Sequence, residues 1–160
     1  MNYIRKIRIW LITFLIGLVL SGLTSFPLLT EVSAAERFLS RQGGIGMTES
    51  GLHDWISKIR EGLTVTYVKY PFIAYGTDWL GFAHIAIAVF FIGAYQDPIR
   101  NIWIFKAGMI CCVLVPIFAF ICAPIRGIPL IWTLIDSSFG VFGFIPLWLC
   151  FRYTKQVSDS

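Results

Sequence analysis

Four long apolar runs constrain this chain more than any other feature. They lie near Ile9–Leu29, Phe72–Tyr95, Ile102–Ala123 and Pro129–Phe151. Each is long enough to cross a hydrocarbon core of roughly 30 Å at about 1.5 Å rise per residue. Apolar residues make up 57% of the chain and charged residues 14%, too greasy a balance for a soluble domain. The expected fold is therefore all-α and integral to a membrane: a four-transmembrane-helix bundle. Residues 1–160 form a single membrane domain, with an external segment over residues 30–71. Short polar turns, Gln96-Asp97-Pro98 and Pro124-Ile125-Arg126-Gly127, separate the last three spans and force antiparallel neighbours.

The basic residues predict the orientation. Arg5, Lys6 and Arg8, then Arg100 and Lys106, then Arg152 and Lys155 fall on one side if both termini are cytoplasmic. The short loop on the other side carries Arg126. The formal charge of +4 then needs no acidic macromolecular partner, and there is no nucleic-acid motif and no glycine-rich phosphate loop. The expected partners are the lipid bilayer and either further copies of the chain or a larger membrane complex. Basic residues, an apolar core and Val32-Ser33-Ala34-Ala35 also resemble a cleavable secretory signal. The core is long for a signal, and Thr13, Gly17, Ser21 and Ser25 recur every four residues, as in a packed membrane helix. Retention of the first span is the expectation.

In the external segment, Thr30–Gln42 reads as a short polar helix ended by Gly43-Gly44-Ile45-Gly46. Ser50 is placed to cap a second helix, with Leu52, Trp55, Ile56, Ile59 and Leu63 on one face. His53, Asp54, Lys58, Arg60 and Glu61 fall around the other, which makes an amphipathic cap. The β-branched and aromatic stretch Thr64–Tyr70 reads as extended.

Asp78, His84 and Asp136 interrupt the apolar runs. A charge at the centre of a membrane helix costs on the order of 2.5–3.5 kcal/mol on insertion scales. Such groups normally face protein or a wet cavity. At 100° per residue, Ala74, Thr77, Asp78, Gly81, His84 and Ala88 share a face centred on Gly81, with Phe72, Trp79, Phe82 and Phe90 pointing away. On the fourth span, Thr133, Asp136, Gly140, Gly143 and Leu147 lie together. In the third, the ring of Pro116 should free the carbonyl of Cys112. Asp78 lies roughly 9 Å below the outer start of its span, Asp136 roughly 10 Å, and His84 about two turns deeper than Asp78. The expected site is an outward-facing polar layer. Its candidate ligand- or proton-binding residues are Asp78, His84, Asp136, Arg126, Thr77 and Ser137. The alternative use of the same residues is to glue four helices in register.

No catalytic residue and no cofactor follow from this pattern. Cys111, Cys112, Cys122 and Cys150 lie in or at the ends of spans and form no CxxC pair. Haem commonly takes two His, or His and Met, and within the spans only His84 and Met109 come into question. A zinc site from His84, Asp78 and Asp136 suffers from their difference in depth. Three functions stay open: a binding or accessory protein with a polar pocket, a proton-coupled carrier of a small solute, and a haem- or quinone-linked redox subunit.

Several stretches carry a resemblance. They are Ser21-Gly22-Leu23-Thr24-Ser25-Phe26-Pro27-Leu28, Tyr75-Gly76-Thr77-Asp78-Trp79-Leu80-Gly81-Phe82-Ala83-His84, Asp97-Pro98-Ile99-Arg100-Asn101-Ile102-Trp103 and Ile135-Asp136-Ser137-Ser138-Phe139-Gly140-Val141-Phe142-Gly143-Phe144-Ile145-Pro146. Together they resemble a group of small uncharacterised bacterial four-helix inner-membrane proteins. The resemblance implies a bacterial inner-membrane location and supplies no catalytic assignment.

Overall fold

The computed structural model describes residues 3–41 and 51–158. They are helical and turn structure, with no strand among the described residues. In chain order the helices are α1 (Tyr3–Leu23), α2 (Leu28–Arg41), α3 (Leu52–Lys69), a 3-10 turn (Pro71–Ile73), α4 (Ala74–Phe90), α5 (Ile92–Gln96), α6 (Ile102–Ile125) and α7 (Leu130–Ser158). Among the described residues four stretches are long and apolar enough to cross a membrane: Tyr3–Leu23, Pro71–Gln96, Ile102–Ile125 and Leu130–Ser158. Their outward side chains suit lipid. Phe72, Phe90, Phe118 and Phe142 are each about 70% exposed, which would be costly in water and is neutral against acyl chains.

The first helix is displaced from the apolar run that predicts it. It begins at Tyr3 and stops at Leu23, so the span expected over residues 9–29 slides toward the N-terminus. The stop is chemical. Thr24 Oγ1 donates to the carbonyl of Ser21 at 2.8 Å, the Ser25 amide donates to Gly22, and Pro27 has no N–H to continue the ladder. Leu28 and Leu29 therefore open α2 rather than close α1. At the other end, Arg5, Lys6 and Arg8 are helical, because long basic stems can run along an apolar helix and carry the charge to its end.

Thr64–Tyr70 is likewise not extended. α3 continues through Lys69, and Thr64 Oγ1 donates to the carbonyl of Arg60 at 2.7 Å. Helical hydrogen bonding overrides the β-preference of the branched residues. The helix breaks at Tyr70 (φ −138°), the residue before Pro71, where the proline ring disfavours helical backbone. The predicted glycine break at 43–46 and the cap at Ser50 lie outside the described residues.

The chain divides into two compact units, Met1–Leu20 with Ile85–Ser160 and Ser21–His84. In the first, Ile7, Leu11, Phe91, Ala94, Phe105, Leu147 and Cys150 form the buried core, with Phe14 tilted against Phe91 at 5.1 Å. α6 and α7 form the most extensive helix pair, joined by a tight turn through Gly127 at φ +66°. In α7 the buried residues Thr133, Ser137, Gly140, Leu147, Cys150 and Thr154 recur at three-, four- and seven-residue steps, the seam of a helix packed on a near-antiparallel neighbour. In the second unit, α2 and α3 form a helical hairpin.

Candidate functional site

The polar residues of the apolar helices divide by unit. Thr77, Asp78 and His84 belong to the second, and Arg126, Asp136 and Ser137 to the first.

In the second unit, Gly81 lies in a close helix crossing, as the small face of α4 predicts. A Cβ built on Gly81 would stand 2.8 Å from the Phe26 ring. One built on Gly22 would stand 2.7 Å from the Cβ of His84. Glycine is therefore required on both helices. The contact glycine of α1 is Gly22, not the Gly17 of the predicted stripe, which has open space around it. His84 sits beside this crossing, half-buried. Its Nδ1 lies 2.8 Å from the carbonyl of Leu80, which can only accept. The proton of neutral His84 is thereby assigned to Nδ1, leaving Nε2 as a lone pair. Thr77 Oγ1 is spent on its own helix, donating to Ala74 at 2.7 Å. Asp78 is half-buried, and within its unit it has no hydrogen bond or ion pair from its carboxylate among the described residues.

In the first unit, Ser137 is buried on the α7 seam, 8% exposed. Its hydroxyl donates to Thr133 at 2.7 Å, and Thr133 Oγ1 donates to Pro129 at 3.2 Å. Asp136, one turn after Thr133 and one before Gly140, is half-buried. Arg126 is exposed at the C-terminus of α6, where its backbone N–H donates to Cys122 and Ala123. Within this unit neither Asp136 nor Arg126 carries an ion pair among the described residues. Pro116 and Cys112 of α6 lie against Gly140 of the seam. A Cβ on Gly140 would overlap the carbonyl oxygen of Cys112 and stand 3.0 Å from the Pro116 ring. The missing side chain lets the Cys112 carbonyl press against the α7 backbone.

A second polar cluster clamps α2 to α3. Glu36 pairs with Arg60 and accepts from Ser57 Oγ at 2.8 Å. Ser40 Oγ lies 3.2 Å from His53 Nε2, and His53 Nδ1 lies 3.7 Å from Asp54. The order Ser–His–Asp does not make a nucleophile here. Ser40 already donates to the carbonyl of Glu36 at 2.9 Å, so His53 donates to Ser40 and takes no proton from it. The Asp54 side chain is 91% exposed and does not hold the ring. Among the described residues no three His, Cys, Asp or Glu side chains are grouped as a metal site would group them.

One arrangement escaped the reading of single residues. At one end of the first unit, basic side chains lie over aromatic rings. Lys6 covers Tyr3 and Tyr153, Arg8 covers Tyr95, Lys106 and Lys155 both cover Phe151, and Arg152 covers Trp148. The signal was present as aromatics near the Lys and Arg of the span ends, but their pairing is set by packing. Comparison with protein-family models, with curated proteins and with solved structures finds no match.

Proposed function

We propose that the chain is a small multi-pass inner-membrane accessory protein, both termini cytoplasmic, in which Asp78 of the second unit and Asp136 of the first each bind a cationic group of a ligand or partner helix. One contrast carries this reading. The hydroxyls beside the carboxylates, Thr77, Thr133, Ser137 and Ser138, are satisfied by carbonyls of their own helices. The two carboxylates find no such partner within their units among the described residues. Hydroxyls that are already satisfied act as helix filler, whereas a carboxylate kept in an apolar helix against its insertion cost calls for a partner. His84, in the same unit as Asp78, lies at the Gly22–Gly81 crossing with its Nδ1 turned to the Leu80 carbonyl.

Native mass spectrometry of the full chain released from its own membrane tests the proposal. Wild type should retain a bound species or a partner chain. Asp78→Asn and Asp136→Asn should lose it while melting at the wild-type temperature. Retention of that species by both variants, or unfolding of both, would overturn the assignment.

A further inference from the structure

We infer that the paired lysines on Phe151 form a site for the phosphate of an anionic phospholipid headgroup. This rests on the membrane reading and is independent of Asp78 and Asp136. Lys106 comes from the start of α6 and Lys155 from the end of α7. Their ammonium groups lie 5.6 and 5.2 Å from the centroid of the same Phe151 ring. A ring quadrupole attracts each cation but neutralises neither. Neither ammonium has an ion pair among the described residues.

The surroundings add to this excess. Lys6, Arg8 and Arg152 lie over rings at the same end of the unit. The carboxylate in the turn before α6, Asp97, accepts from the Arg100 backbone at 3.0 Å. Topology alone asks only for basic residues near the span ends. It does not ask for ammonium groups from two different helices on one ring, neither in an ion pair among the described residues. An ammonium with one side on a ring keeps N–H donors for an anion. The anion must be available where aromatic rings mark the end of the apolar helices, and Trp103, 65% exposed next to Lys106 in the chain order of α6, marks that level. Phosphate diesters of anionic lipids lie there, and basic pockets between cytoplasmic helix ends are suited to bind them.

Thermal unfolding of the full chain in neutral detergent tests the site. Phosphatidylglycerol at a hundredfold excess over its Kd should raise Tm by roughly 5–10 °C, and phosphatidylcholine should not. Lys106→Gln with Lys155→Gln should abolish the gain. Lys58→Gln with Lys69→Gln, the same charge change in the other unit, should keep it. Lys155 is exposed, so Lys155→Gln alone is tolerated and should lose about half the gain if the double variant fails to fold. An equal gain in phosphatidylcholine, a gain with inorganic phosphate alone, equal loss in both double variants, or a full gain in Lys155→Gln would each overturn the site.

Discussion

Gly22 and Gly81 are reciprocal. A Cβ on Gly22 would stand 2.9 Å from the carbonyl oxygen of Gly81, and one on Gly81 would stand 2.7 Å from that of Gly22. Neither oxygen is the end of a flexible side chain, so relief requires moving a helix. Gly81→Ala should cost about 1–3 kcal/mol, as overpacking does. Gly17→Ala, with nothing within 4 Å, should leave stability unchanged or raise it by roughly 0.5–1 kcal/mol. Melting both variants in one detergent compares them, and equal Tm values would remove the crossing.

The α6–α7 seam gives a second contrast. Gly140→Ala places a methyl on the Cys112 carbonyl, with the Val115 Cβ 3.3 Å away. Gly76→Ala meets open space. The first should lower Tm by several degrees and the second should not. If Gly140→Ala melts like wild type, the Cys112 carbonyl does not press against α7.

The hairpin clamp is testable without touching the spans. Glu36→Ala removes the Arg60 pair and the Ser57 acceptor together. Glu36 is the more buried partner, 17% exposed against 43% for Arg60, so the loss should exceed that of a solvated pair, about 1–2 kcal/mol. Hydrogen exchange should show faster amides in α2 and α3 and unchanged protection in α6 and α7. A Glu36/Arg60 double-mutant cycle with no coupling would make the pair incidental.

Ser137 separates packing from binding. Its hydroxyl is already satisfied by Thr133, so Ser137→Ala should change stability by less than about 1 kcal/mol and leave any bound species in place. Asp136→Asn should do the reverse, keeping stability and losing the bound species. Native mass spectra of the two variants side by side decide this, and loss of the bound species in Ser137→Ala would return the hydroxyl to the site.

Periodicity and length made the four apolar helices and the two helices between the first and second apolar runs legible, because both follow from local apolar pattern. The small face around Gly81 was legible for the same reason. Helix ends were less so. Hydropathy sees Phe26, Leu28 and Leu29 as more of the same run, whereas Pro27 and the Thr24 hydroxyl end the helix. β-propensity misread Thr64–Tyr70, where the ladder of α3 dominates. A wheel groups Asp136 with Thr133 and Gly140, but how deeply each is covered is set by the neighbouring helix: Asp136 is half-buried, whereas Ser137, outside that grouping, is buried.

The Cys150 thiol, which donates to the carbonyl of Ile7 at 3.4 Å, spans a sequence separation of 143 residues. It gives the molecule an order in time. α6 and α7 can pair as soon as both are made, since a short turn joins them and loop closure costs little. Ile7 and Leu11, fully buried in the finished protein, have no Leu147 or Cys150 to pack against until α7 is made. α1 thus completes its packing only after α7, and a chain truncated before Leu147 leaves its buried face short of partners.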